Sequence, residues 1–336
     1  MIEEKLLEEL SNKTILLTGA SGTIGRNIIR LIRQFNCEKN AKITIFACVR
    51  NEQKILPFIK DMDFIKLYQG DILDNNFWTT IEKPVDYIIH CAANTNSKLM
   101  VTNPVETLNG IVIGTRNVLE FALECKVKGM LYLSSMEVYG DLPFDGRKVS
   151  EEKVGNIELL TARSCYPLGK RTAENYCYCY YKEYGIPVKI ARLAQTFGKG
   201  IAKEDNRVYA QFADSVVSGR DIVLHTKGET LGNYVDSEEA VEALLLILVK
   251  GSEGEAYNVV NEENTMTIKE MAELVADKVA CNQIKVRHNI SDNNAYGYSD
   301  NKGVRLSAKK IENLGWHPKV NLESMYRKMI EEIDEQ

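Results

Sequence analysis

Tyr166 and Lys170 stand four residues apart in the stretch Tyr166-Pro167-Leu168-Gly169-Lys170. Residues at that spacing share one face of a helix, so the ammonium can support the phenol. A positive neighbour favours tyrosinate and lowers a pKa that is about 10 in the free side chain. Tyr166 then serves as a base toward an alcohol or as an acid toward a ketone. Tyr and Lys often sit four apart on helices with no such role, so the pair gains meaning from its company. Ser134 and Ser135 end a β-rich run, and Ser135 is the candidate to hydrogen bond the reacting oxygen. Glu137 follows closely; it could bond a hydroxyl, act as a second base or brace its loop.

A second constellation lies near the N-terminus. Thr18-Gly19-Ala20-Ser21-Gly22-Thr23-Ile24-Gly25 follows an apolar strand-like run and opens a helical pattern, Thr23–Phe35. Its glycines, 19, 22 and 25, form G-x-x-G-x-x-G. Glycine permits the tight turn, lets backbone approach a pyrophosphate, and lets helix and strand pack closely. The helix N-terminus presents free N–H groups and a positive dipole to the phosphates. A dinucleotide is therefore expected here, with Ser21, Thr23 and Ile24 beside the glycines. Lys170 would then also reach the nicotinamide ribose, placing Tyr166 and Lys170 on the cofactor surface as well, and an oxidised nicotinamide would join the lysine in favouring tyrosinate.

The second strand-like run ends Cys48-Val49-Arg50-Asn51. An acidic residue at this point bonds ribose hydroxyls, whereas a basic one accepts a 2′-phosphate. Arg50 tilts the expectation toward NADP over NAD, although it could instead stack on adenine or face solvent. Asp71, in Gly70-Asp71-Ile72, could accept from the adenine amino group or cap the helix starting near Asp74.

These groups need a scaffold. Thr14–Leu17, Ile43–Cys48, Phe64–Tyr68, Val85–Ile89, Met130–Ser134 and Val188–Leu193 read as buried strands separated by helical stretches, notably Pro104–Cys125 and Tyr166–Tyr184. That alternation predicts an α/β fold, a doubly wound parallel Rossmann-type sheet covered on both faces. Farther on, Arg207–Ser218, Glu238–Lys250 and Thr267–Val279 read as helices, and Asp221–His225 and Ala256–Val260 as strands. Thr267 is a plausible N-cap, with Glu270 completing a capping box. The expected organisation is a dinucleotide-binding domain over 1–193, with 236–260 returning to it. Segments 194–235 and 261–336 would form a smaller, discontinuous C-terminal α/β substrate lobe.

Composition excludes several other classes. The chain has 336 residues, 44% hydrophobic and 26% charged, with a formal net charge of −5, so no general attraction to nucleic acid or anionic membrane is expected. Its longest apolar run, Ala243–Val249, is too short to cross a bilayer. The start, Met1–Leu10, alternates acidic and apolar residues and reads as an amphipathic helix, not a signal peptide. A cytoplasmic location is the default expectation. The 8 cysteines and 4 histidines show no metal-ligand spacing, so reduced thiols and no metal are expected.

Taken together, the chain resembles the extended short-chain dehydrogenase/reductases, specifically their nucleotide-sugar epimerase/dehydratase group. The matching pieces run in family order: TGASGTIG (18–25), GDI (70–72), HCAA (90–93), YLSSMEVYGD (132–141), YPLGKRTAE (166–174), ARLAQTFGKG (191–200) and LGWHP (314–318). The resemblance implies hydride exchange at a sugar carbon by Ser135, Tyr166 and Lys170. It places Asp71, Ile72, Ala92 and Ala93 along the cofactor, and Gln195 with the substrate. It also implies a homodimer paired through Pro104–Cys125 and Tyr166–Tyr184, the second of which carries a dense Tyr/Cys stretch from Tyr176 to Tyr181.

Departures from the family pattern matter for the reaction. The 4,6-dehydratases carry Asp-Glu after the catalytic hydroxyl residue; here the pair is Met136-Glu137, which counts against that dehydration. Nucleotide-sugar decarboxylases also carry Glu at the matching position. Gly232 aligns with a common phosphate-binding Arg, leaving Arg207 or Arg305 as substitutes. Ile111 stands where Asn is common. The leading expectation is an epimerase-type enzyme that oxidises a nucleotide-linked sugar transiently. An NADPH-consuming ketoreductase of a nucleotide-linked ketosugar or keto-alditol is the alternative, and a catalytically silent dinucleotide-binding protein the third.

Overall fold

The computed structural model describes residues 2–143, 145–201, 205–290 and 303–334. Seven strands make the central sheet: β1 (Thr14–Thr18), β2 (Thr44–Val49), β3 (Ile65–Gln69), β4 (Tyr87–His90), β5 (Gly129–Ser135), β6 (Val188–Leu193) and β7 (Ala256–Val259). Their order is 3-2-1-4-5-6-7 and every neighbouring pair is parallel. Apolar side chains on alternate positions enter opposite cores. Ile15 and Leu17 of β1 join one buried cluster, and Leu16 joins the other. A parallel sheet covered on both faces requires this near-continuous apolarity.

Helices α1 (Ile2–Leu10), α2 (Thr23–Lys39), α3 (Pro104–Cys125), α4 (Cys165–Tyr184), α5 (Ser237–Lys250) and α6 (Leu322–Asp334) surround the sheets. The two clusters sort them. Leu6, Leu10, Ile28, Ile32 and Leu244 of α1, α2 and α5 lie on one face, and Val118, Phe121, Ala173 and Cys177 of α3 and α4 on the other. The carboxyl ends of all the parallel strands share one edge of the sheet. The strand order reverses between β1 and β4, which opens a crevice at that edge.

After β6 the chain builds a third hydrophobic cluster. A three-stranded sheet places Leu231–Asp236 between Gln195–Phe197, to which it is parallel, and Asn261–Thr267, to which it is antiparallel. Phe197, Tyr209, Tyr234, Met271, Met325 and Tyr326 fill the space beneath it. Between these segments the chain rejoins the main sheet, where Ala256–Val259 pairs with β6. The Thr267–Glu270 capping box forms, but the helix it opens is regular only over Ile268–Leu274 and widens to a π-turn over Val275–Val279.

Candidate active site

The glycine loop joins β1 to α2 at the crevice. Gly19 has φ +69°, and a side chain there would strike the backbone of Ala92 at 2.8 Å. This close approach sets the turn against the segment leaving β4. Gly25 has the packing role: a Cβ would meet the Gly19 carbonyl oxygen at 2.5 Å and the Ala20 Cα at 2.7 Å. Gly22 is different. It is the N-cap of α2 in extended backbone, with no side-chain cap hydrogen bond. A Cβ would meet only the Gly19 oxygen, at 3.4 Å. Uncapped N–H groups and an uncrowded approach suit a pyrophosphate, so these residues fit a dinucleotide.

Buried hydrogen bonds fix the neighbouring strand end. His90 Nδ1 lies 2.7 Å from the Thr18 hydroxyl and its Nε2 lies 3.2 Å from the Thr115 hydroxyl. The Ala92 amide donates to Thr18 Oγ1 at 3.3 Å. Burial, reinforced by the charge of Lys170, depresses the His90 pKa to about 3, so the ring is neutral. Ala93 packs beside the second core cluster. Ile72 leans on α3 at Gly114, and its carbonyl accepts from Asn117 at 3.0 Å. Asp71 accepts from the Leu73 amide at 2.9 Å, whereas the cap of the short helix Asn75–Thr79 is Asp74. Arg50 is exposed just past the end of β2.

Strand β5 and helix α4 bring Ser135, Tyr166 and Lys170 together. Ser135 ends β5 and caps the turn Met136–Tyr139 by accepting from the Glu137 amide at 3.2 Å. Tyr166 and Lys170 are buried one turn apart on α4, and the lysine nitrogen lies 5.8 Å from the tyrosine ring centre. The Ser135 side chain lies near enough to the Tyr166 phenol to lower its pKa. Lys170 Nζ donates to the Leu133 carbonyl at 2.6 Å and lies 4.8 Å from the Tyr132 ring centre.

Electrostatics correct one expectation. The Tyr166 pKa is raised to about 12, by burial first and then by Glu137; Ser135 and the charges of Arg163 and Arg207 act against the rise. Lys170 spends its hydrogen bond on Leu133 and does not overcome this in the protein alone. Burial lowers the Lys170 pKa to about 8, with Glu174 opposing. Near neutrality the pocket therefore holds a protonated phenol beside a mostly charged ammonium. That arrangement can give a proton to a ketone oxygen; accepting one needs further positive charge nearby.

Around this centre, Glu137 is paired with Arg163, whose Nη2 donates to both carboxylate oxygens at 2.8 and 2.7 Å. The Arg163 guanidinium also lies 5.8 Å from the Tyr166 ring centre. Sequence reading missed Arg163; its place three residues before Tyr166 was the available signal. Arg207 is held by Asp205, with Nε 3.0 Å from each carboxylate oxygen, and its charge reaches Tyr166. Gln195 is half-buried opposite Tyr234 on the small sheet. Arg305 lies apart from these contacts, exposed on a two-residue strand beside Lys148, with its charge toward Glu270. At Gly232 the Tyr234 ring lies where a side chain would project. Among the described residues no group of three or more His, Cys, Asp or Glu could hold a metal.

A parallel sheet with a glycine-loop crevice and a Ser–Tyr–Lys set defines the class of extended short-chain dehydrogenase/reductase enzymes. Residues 15–260 match the NAD dependent epimerase/dehydratase family, and the chain belongs to that family. It is 30% identical over 313 residues to UDP-glucuronic acid decarboxylase 6 of Arabidopsis thaliana, spanning 93% of this chain and 86% of the relative. It is 28% identical over 337 residues to dTDP-D-glucose 4,6-dehydratase of Bos taurus, spanning 95% and 88%. Among solved structures, UDP-glucose 4-epimerase from Thermotoga maritima, determined with UDP-glucose, superposes with a TM-score of 0.81 at 20% identity, covering 96% of this chain and 99% of that one. RMD from Pseudomonas aeruginosa, complexed with NADPH, superposes with a TM-score of 0.77 at 21% identity, covering 96% and 99%. No described helix is long and apolar enough to cross a membrane.

Proposed function

We propose that this enzyme holds NAD or NADP in the crevice and uses it to oxidise a nucleotide-linked sugar transiently, returning the hydride before product leaves. The observation that carries the reading is the meeting of Ser135 and Tyr166, from separate elements, with Lys170 one turn beyond. Ser21, Gly22, Thr23 and Ile24 would face the pyrophosphate, Arg50 the adenosine ribose, and Asp71, Ile72, Ala92 and Ala93 the rest of the dinucleotide.

An oxidised nicotinamide held there would supply a hydride acceptor and a positive charge. With that charge in place, Tyr166 takes the proton of the sugar hydroxyl, while Ser135 holds the same oxygen and Lys170 supports the phenolate. On re-reduction Tyr166 returns the proton to the ketone oxygen. Glu137, drawn back by Arg163, contacts a neighbouring sugar hydroxyl. The described segments of 194–235 and 261–334 that build the third hydrophobic cluster would hold the nucleotide, with Gln195 and Arg207 toward the substrate and Arg305 at its edge. The working unit is a homodimer in the cytoplasm.

An epimerase outcome is the first reading. Decarboxylation of a nucleotide-linked hexuronate is the second, favoured by the 30% identity to a UDP-glucuronic acid decarboxylase; Glu137 is compatible with it but does not decide the reaction. Both recycle the cofactor. The deciding experiment supplies UDP- and dTDP-linked hexoses and UDP-glucuronate to purified protein, follows reduced-cofactor absorbance and identifies products by NMR. Conversion without net cofactor change is expected. One NADPH consumed per product formed establishes the ketoreductase instead.

A further inference from the structure

Three cationic side chains tie α4 to the strand and turn that carry Ser135 and Glu137. Lys170 holds the Leu133 carbonyl. Arg171 donates to the carbonyls of Val138 and Gly155, each at 2.7 Å. The third is Arg192 on β6, which forms a buried ion pair with Glu174, one helical turn beyond Lys170. Arg192 Nε is 3.0 Å from Glu174 Oε1 and Nη2 is 2.7 Å from Oε2, with the side chains only 9% and 10% exposed. Arg192 Nη1 also donates to the Tyr139 hydroxyl at 3.2 Å and to the Glu151 carbonyl at 2.7 Å. Tyr139 in turn donates to Asn258 Oδ1 at 2.6 Å. Tyr139 ends the short turn that begins after Ser135 and contains Glu137.

We propose that the Glu174–Arg192 pair is a positioning element that sets a carboxylate one helical turn from the Lys170 ammonium and locks α4 against the Ser135–Tyr139 turn. The inference rests on the reading that Tyr166 and Lys170 act at the substrate oxygen.

The physical argument is local. A lysine buried in protein tends to lose its proton. Facing Lys170 are Glu174 and Cys177 on α4, Cys91 and His90 from β4 and the segment after it, and the rings of Tyr132 and Tyr166. His90 is neutral and burial keeps both thiols protonated, so Glu174 is the anion that opposes burial. Arg192 fixes the Glu174 carboxylate through two of its nitrogens, and its Nη1 reaches on to Tyr139 at the end of the turn that bears Glu137 and to the Glu151 carbonyl.

Direct titration tests this. Protein labelled with 13C at lysine Cε is followed by NMR across pH, with the Lys170 signal assigned by its loss in Lys170→Met. Glu174→Gln is expected to lower the Lys170 midpoint by about one pH unit. The double variant Glu174→Gln/Arg192→Met, which also removes the buried Arg192 charge, is expected to fall between Glu174→Gln and wild type. The alkaline limb of turnover shifts in the same order. Unchanged midpoints in folded variants overturn the inference even if Tyr166→Phe is inactive. Retained turnover in Tyr166→Phe overturns the catalytic reading, and this role with it, wherever Lys170 titrates.

Discussion

Lys170 donates a 2.6 Å hydrogen bond to the carbonyl of Leu133, two residues before Ser135. One lysine thereby fastens the helix bearing Tyr166 to the strand bearing the serine. Its ammonium lies close to the phenol while its hydrogen bond is spent elsewhere.

Tyr166→Phe removes the transferable proton and leaves the ring that packs the pocket. Turnover should fall by roughly a hundredfold or more, the scale of a positioned acid–base group. Dinucleotide affinity, measured by calorimetry, should stay within a few-fold of wild type by about the same argument. Near-normal turnover on the identified substrate would falsify the assignment.

Gly22→Val should abolish dinucleotide binding in a folded protein. The backbone at Gly22 is extended and a Cβ has space locally, so the branched side chain projects where the pyrophosphate would lie. Circular dichroism and thermal melting check the fold, and fluorescence titration with NADH and NADPH checks binding. Wild-type affinity in the variant would remove this loop from the site.

Arg50→Ala separates the two cofactors. Arg50 is exposed past the end of β2, free to meet a 2′-phosphate. The substitution should weaken NADPH binding much more than NADH binding. Equal losses would mean that Arg50 stacks on adenine without selecting NADP.

Acid stability should carry a contribution from His90. Its folded pKa, about 3, lies below the ordinary 6.5. Between those values the unfolded chain binds a proton that the folded chain refuses, so stability is lost as pH falls, by about 1.4 kcal/mol per pH unit. Urea unfolding at pH 7 and pH 5 should show about 2 kcal/mol of this loss in wild type and not in His90→Gln. An identical pH dependence in both proteins would contradict the neutral, buried ring.

The proposed homodimer is tested by light scattering at micromolar concentration. Tyr180 is buried within its own chain and Tyr176 and Tyr181 pack beside it, whereas Tyr178 and Tyr184 on α4 and Val105 and Leu108 on α3 are exposed. In the proposed homodimer the exposed set would be the surface offered to a mate. A dimeric mass that Leu108→Glu/Tyr178→Glu converts to monomer supports this surface, and a monomeric wild type rules it out.

Much of the scaffold is legible in the residues because its causes are local. Short β-rich runs, glycine spacing and helical apolar periodicity arise within a few residues of one another, and β6 and α3 match their expected ends, Val188–Leu193 and Pro104–Cys125. The four-residue spacing of Tyr166 and Lys170 needs only the helix. Relations between distant segments depend on packing. Folding set the Glu137–Arg163 pair, the link from Glu174 through Arg192 to Tyr139, and the position of Tyr234 over Gly232. It also decided the sign of the Tyr166 shift, because desolvation depends on everything that surrounds the phenol. A spacing of residues can identify a partner within one helix, but the dielectric around a side chain belongs to the whole fold.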